Sequence, residues 1–243
     1  MSPSPAVQRK LSALAGKHVN FDPDALDMQH PPQGWNVDDR WQSLPSEAPG
    51  EPVAGGSWEI ARRLIRGYEF ADPSMVRAFY DPDQPLAGRD MLLELQTLGI
   101  VRVYVGVRVG EVYDQVREVD GRRARVFGWY YRTLEGHVER GQMDWQVWKW
   151  LDSGEVQFHV YAVSRPAPAT NPFVRIGFLL LRGHERSVFL NSTARRMRAF
   201  TELGLQGERP GERVRQASPG LTARRSSADD PAHVELGRNV ESE

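Results

Sequence analysis

The chain contains no cysteine, which removes disulfides, thiolate zinc sites, iron–sulfur clusters and cysteine nucleophiles together. Lysine is almost as scarce, confined to Lys10, Lys17 and Lys149, so arginine carries nearly all the positive charge. Guanidinium forks suit phosphate and carboxylate, but these arginines are spread along the chain rather than gathered into a nucleic-acid footprint. Acidic and basic side chains almost cancel, to a formal net charge of -1, so whole-molecule charge draws the protein neither to nucleic acid nor to an anionic membrane. No apolar run approaches the ~20 residues of a membrane span, and the Leu-Ser-Ala-Leu-Ala stretch after Lys10 is too brief for a signal-peptide core. A soluble cytoplasmic protein is expected, with no transmembrane segment and no nucleic-acid partner. Glycine-rich phosphate loops, G-x-S-x-G elbows and paired helical carboxylates are also missing, which disfavours nucleotide-dependent and serine-hydrolase chemistry.

What is present is organised around residues 100–164. Val101, Val103, Val105, Val107 and Val109 alternate with Arg102, Tyr104, Gly106 and Arg108, the period-two pattern of a strand with one buried face. Asp120-Gly121 marks a hairpin into a strand from Arg125 to Thr133, and Ser153-Gly154 marks another between Gln142–Leu151 and Val156–Ser164. A two-residue turn there sets Leu151 opposite Val156, Val147 opposite Val160 and Trp145 opposite Ala162. Trp145, Val147, Phe158 and Val160 then share a core face, and Trp148, Trp150, His159 and Tyr161 share the reverse. That reverse face is too aromatic for open solvent. Either the N-terminal arm, which brings Trp35 and Trp41, covers it, or a second copy of the chain does, making a homo-oligomer.

Around this centre the chain divides into an ordered arm (1–57), a domain (58–205) and a disordered tail (206–243) poor in anything to bury. The arm is interrupted by prolines and includes a short helix near Val7–Ala15. Trp58–Tyr68 reads as a first strand, although Ala61-Arg-Arg-Leu also suits a helix. Asp72-Pro73 opens a short helix through Phe79, and Met91–Gln96 is a strand. Asn171-Pro172 opens an apolar helix from Phe173 to Arg182 that Gly183 breaks or kinks, with a second helical stretch reaching Leu203.

One strand, a short helix, a meander and a long apolar C-terminal helix is the element order of an α+β helix-grip domain, a curved antiparallel β-sheet wrapped around that helix. The run Tyr131-Arg-Thr-Leu-Glu-Gly-His-Val-Glu-Arg-Gly141, followed by Ser164-Arg165-Pro166, also resembles a specific family, the bacterial and plant domain of unknown function nineteen-ninety. Its signature is a Tyr-x-Thr-Leu-x-Gly-His-x-Glu-x-Gly loop with a downstream Ser-Arg-Pro, and the similarity covers about Trp58 to Phe200. Gln142 departs from the acidic residue expected there. The resemblance implies a fold similar to the START and Bet v 1-like proteins, which mostly hold apolar ligands between sheet and helix and include some cyclases and hydratases.

The candidate site gathers Tyr131, Thr133, His137, Glu139 and Arg165 at one mouth of the sheet. They could provide a general base oriented by a carboxylate, or a polar anchor for a ligand's headgroup. Equally, Glu139 and Arg165 could form a structural ion pair while His137 caps the loop. A metal site from His137, Glu139 and His159 lacks any supporting ligand spacing, and no cofactor is expected. The apolar helix, with Phe173 and Phe178, could line a cavity with Trp145, Val147, Phe158 and Val160, or plug the sheet as core. Three functions follow: a binder of an apolar, lipid-like small molecule; an enzyme moving a proton through His137; and a partner-binding or membrane-peripheral protein.

Overall fold

The computed structural model describes residues 4–97, 101–168 and 172–208, without the side chains of 97, 101 and 172–185. Its elements are α1 (Pro5–Ser12) with a 3-10 turn (Ala13–Gly16), β1 (Asn36–Leu44), α2 (Ser57–Arg66), β2 (Val76–Phe79) and β3 (Asp90–Thr97). There follow β4 (Val101–Val119), β5 (Arg122–Thr133), β6 (Glu139–Trp150), β7 (Val156–Pro166) and α3 (Pro172–Leu205). The strands make one seven-stranded sheet in the order β1-β7-β6-β5-β4-β3-β2, antiparallel at every step. Leu190, Met197 and Phe200 of α3 join Val105, Val107, Trp129, Trp145, Val147 and Phe158 of the sheet in a single apolar cluster. This is the α+β helix-grip arrangement.

The valine alternation in β4 follows from the pleat: Val105, Val107 and Val109 are buried while Arg108 and Tyr104 turn away. Asp120 and Gly121 both take positive φ, 51° and 74°, the geometry of the two-residue turn that matches strand twist. The β6–β7 register differs from the expected one by two residues, with Lys149 opposite Val156, Val147 opposite Phe158 and Trp145 opposite Val160. The connection is longer than a two-residue turn, because the Trp150 and Gly154 N–H groups bond the Glu155 and Trp150 carbonyls respectively. Since the slip is even, every side chain keeps its expected face. Gly154 sits at φ 76°, and a Cβ there would lie 2.1 Å from the Glu47 carbonyl oxygen.

Three elements depart from the reading of the sequence. The segment read as a first strand from Trp58 is helix α2, because Trp58, Ala61, Leu64 and Ile65 fall on one buried stripe while Glu59, Arg62, Arg63 and Arg66 do not. Asp72-Pro73 makes only a single turn, in which the Asp72 carboxylate accepts from the Ser74 N–H. Edge pairing of Val76–Phe79 with β3 then takes over. Gly183 does not interrupt α3, since one helical glycine costs only about 1 kcal/mol.

The arm supplies β1, the edge strand beside β7. It is tied down by a buried ion pair: Lys149 Nζ donates to Glu47 Oε2 at 2.6 Å and to the Glu51 carbonyl at 2.9 Å. Glu47 Oε1 also accepts from the Trp58 N–H at 2.8 Å, so this carboxylate caps α2 in place of the side chain that Gly56 lacks. From residue 209 the expected tail lies outside the described residues.

Candidate functional site

The glycine-bounded loop joining β5 to β6 is held from below by the arm. The Val19–Leu134 bridge and the bonds Asn20 N–H to Thr133 O and Glu135 N–H to His18 O lay the chain along it. Thr133 Oγ1 donates to Asn20 Oδ1 at 2.6 Å and accepts from the Gly141 N–H at 2.9 Å. Thr133 is thereby committed to holding both ends of the loop. Asn20 Nδ2 donates to the Glu139 carbonyl at 2.9 Å, completing the clamp.

On this support His137 turns back on its own loop, its Nδ1 accepting from the Glu139 N–H at 2.9 Å. That bond leaves the ring proton of the neutral form on Nε2. Burial pushes the imidazole down to about 4, against the opposing pull of Glu139, so the ring is neutral near pH 7. Tyr131 lies on the core face of β5, its hydroxyl donating to the Met143 Sδ at 3.2 Å. Burial pushes that hydroxyl up to about 12, so it acts as a hydrogen-bonding group and not as an anion.

Glu139 does not pair with Arg165. Its Oε2 meets Arg186 Nη1 at 2.9 Å, and Arg186 Nε bonds Asp38 of β1. One α3 guanidinium thus bridges a carboxylate on each of two strands. Arg165 is opposite Arg140 in the β6–β7 register and lays its guanidinium over the Trp35 ring at 4.5 Å. Paired with Arg140, Arg165 points to the face of the sheet opposite Glu139, where the arm's tryptophan offers the cation a ring. Tyr131, Thr133, His137 and Glu139 therefore come together, Arg165 stands apart, and Arg186, Asp38 and Asn20 complete the group. The sequence held no signal for Arg186, one arginine among many on α3, nor for a strand that would bring Asp38 to it.

Inward of this mouth, Trp145, Val147, Phe158 and Val160 are buried. Tyr68 and Phe70, which follow α2, pack on them: Phe70 stands 4.6 Å from the Trp145 ring and 5.7 Å from Phe158, and Tyr68 meets Trp145 edge-on at 5.9 Å. The Trp145 indole is 0% exposed, yet its Nε1 has no hydrogen-bond partner among the described residues. The side chains of Phe173 and Phe178 lie outside the described residues.

The aromatic reverse face is covered by the arm. Trp41 stacks on His159 at 3.7 Å, nearly parallel, and meets Trp148 edge-on at 5.5 Å. The Tyr161 hydroxyl donates to the Met28 carbonyl and Trp150 Nε1 to Gln157 Oε1. Trp41 itself stays 45% exposed. His159 bonds Asp39 and Gln146, which keeps it on this face and away from His137 and Glu139. No helix among the described residues is long and apolar enough to cross a membrane.

Comparison with known proteins bears on the family. A family model described as "Domain of unknown function (DUF1990)" matches residues 22–198. No curated protein matches the chain. Among solved structures, Ara h 8.0201 is similar over 70% of this chain and 99% of its own, at 8% identity and a TM-score of 0.39. The hypothetical protein jhp0584 from Helicobacter pylori is similar over 76% of this chain and 96% of its own, at 12% identity and a TM-score of 0.40.

Proposed function

We propose a binding role for this chain, which belongs to the DUF1990 family of domains of unknown function: it holds a small, mainly apolar molecule between the sheet and α3. His137 Nε2, Tyr131 and the Glu139–Arg186 pair stand at the ligand's polar end. The observation that carries this reading is the unpartnered indole N–H of Trp145, fully buried among the rings of Tyr68, Phe70, Tyr131 and Phe158. A buried donor without an acceptor costs about 1–3 kcal/mol, and a carbonyl or ether oxygen on a bound molecule would relieve that cost. Apolar walls with a few fixed polar groups are the usual chemistry of small-molecule sites.

A proton-transfer enzyme working through His137 is the weaker reading. At neutral pH the imidazole's one basic lone pair, on Nδ1, already accepts the Glu139 N–H, leaving Nε2 as a donor. Native mass spectrometry of protein purified from its source tests the binding role by looking for a retained mass. The matching assay is the Trp145 indole proton resonance, assigned with Trp145→Phe, before and after the protein is stripped with organic solvent and refolded. A retained molecule whose removal shifts that resonance supports the reading. Protein that carries no added mass, with an indole signal unmoved by stripping, would overturn it.

A further inference from the structure

A second place in the molecule has the makings of a binding site and no assigned use. A cleft of about 420 Å³ opens between the last turns of α2 and the connection leading into β3, lined by Arg62, Arg63, Arg66, Arg89, Tyr80 and Gly67, with Pro82 at its edge. Among the described residues, four arginines line it and no acidic residue does. We propose that this cleft binds the phosphate of a small phosphorylated organic molecule, a phosphomonoester. This site is independent of the one between sheet and α3.

Arg89 is the strongest reason. It is only 8% exposed, and its Nε has no hydrogen-bond partner among the described residues. The same guanidinium donates through Nη2 to the Gln84 carbonyl and lies over the Tyr80 ring at 4.8 Å. Burial, and then repulsion from Arg66, disfavours its charge, against help from Tyr80 and Asp81. A buried cation that lines a basic cleft is stabilised by an incoming anion. Arg62 is differently placed: its Nη2 meets Asp114 at 3.1 Å and its guanidinium covers Phe127. Arg66, exposed and 5.9 Å from the same ring, and Arg63 have no carboxylate partner among the described residues, and are the groups left to close on a ligand from the helix side.

Charge favours phosphate over carboxylate. A carboxylate is filled by one bidentate fork, whereas a phosphomonoester offers three oxygens and up to two negative charges to several arginines at once. The negative end of the α2 dipole, worth about half a charge, opposes an anion here. Several full positive charges outweigh it, and the Gly67 carbonyl is already occupied by the Tyr80 hydroxyl at 2.6 Å. The cleft falls in the ~300–1,000 Å³ range of small-molecule sites, more than a bare oxyanion fills, so an organic group is expected beside the phosphate.

The test is calorimetric titration of the full chain with phenyl phosphate and with inorganic phosphate, beside flotation with phosphatidic acid in phosphatidylcholine vesicles. Phenyl phosphate should bind at least about tenfold tighter than inorganic phosphate. Arg66→Gln and Arg63→Gln should each weaken it about tenfold or more, the loss of one charge-assisted pair, while leaving the thermal midpoint unchanged. Arg89→Met should abolish binding, and the two surface variants decide the matter if that protein does not fold. Flotation that Arg66→Gln removes would support the proposal with a lipid headgroup as the source; phenyl phosphate binding without flotation would support it with a soluble one. Absence of phenyl phosphate binding at millimolar concentration, equal affinity for inorganic phosphate, or binding indifferent to both surface substitutions would overturn it.

Discussion

Replacing Arg186 with methionine tests whether one guanidinium closes the candidate site. In the native protein it stands between Asp38 of β1 and Glu139 of β6, with all three side chains about one-sixth exposed or less. Removing one partner of a fully buried ion pair costs about 3–5 kcal/mol, mostly because the other charge is left uncompensated. The residual exposure here lets water reach the carboxylates, which lowers the expectation to about 2–3 kcal/mol. For a chain of this size that is a fall of roughly 4–12 °C in midpoint. Urea unfolding of both proteins at pH 7 measures it. A deficit under about 1 kcal/mol would refute the bridging role.

Further perturbations address the neighbouring parts. The folded-state pKa of His137, about 4, lies below the unfolded value of 6.5, so the unfolded chain binds more protons in between. The resulting stability is complete above pH 6.5 and is lost as pH falls towards 4; it amounts to at most about 3 kcal/mol. His137→Gln should flatten the stability profile in that window, and an unchanged slope in urea titrations would count against the burial of the ring. Lys149→Met should cost about 3 kcal/mol by stranding Glu47, and Glu47→Gln in the same chain should recover part of it. A double-mutant cycle with no coupling would contradict the pairing.

The contrast between the elements read correctly and those misread is physical. The β4, β5, β6 and β7 strands announced themselves because one face of each is buried and the pleat repeats every two residues, and even a two-residue error in register left the faces intact. α2 was misread because its apolar residues are crowded enough to fit either period over ten positions. β1 was invisible: most of Asn36–Leu44 is exposed or half-buried, so no alternation marks it, and it is a strand because β7 offers a free edge. At the site, the Thr-Leu-x-Gly-His-x-Glu run pointed to the right loop, and strand parity set Arg165 on the face opposite Glu139, whereas Arg186 as the partner of Glu139 left no trace in spacing.

Local alternation, turn-forming pairs such as Asp120-Gly121 and the apolar C-terminal stretch were enough to determine an antiparallel sheet with a helix after it, because periodicity and φ preferences belong to the chain itself. Which cation reaches which carboxylate, which strand borrows an edge, and that Glu47 caps a helix ten residues away while neutralising a lysine a hundred residues on were decided only by tertiary structure. Such pairings depend on where separate segments meet in space, and an ion pair or a borrowed edge satisfies charge and backbone without imposing any period on the sequence.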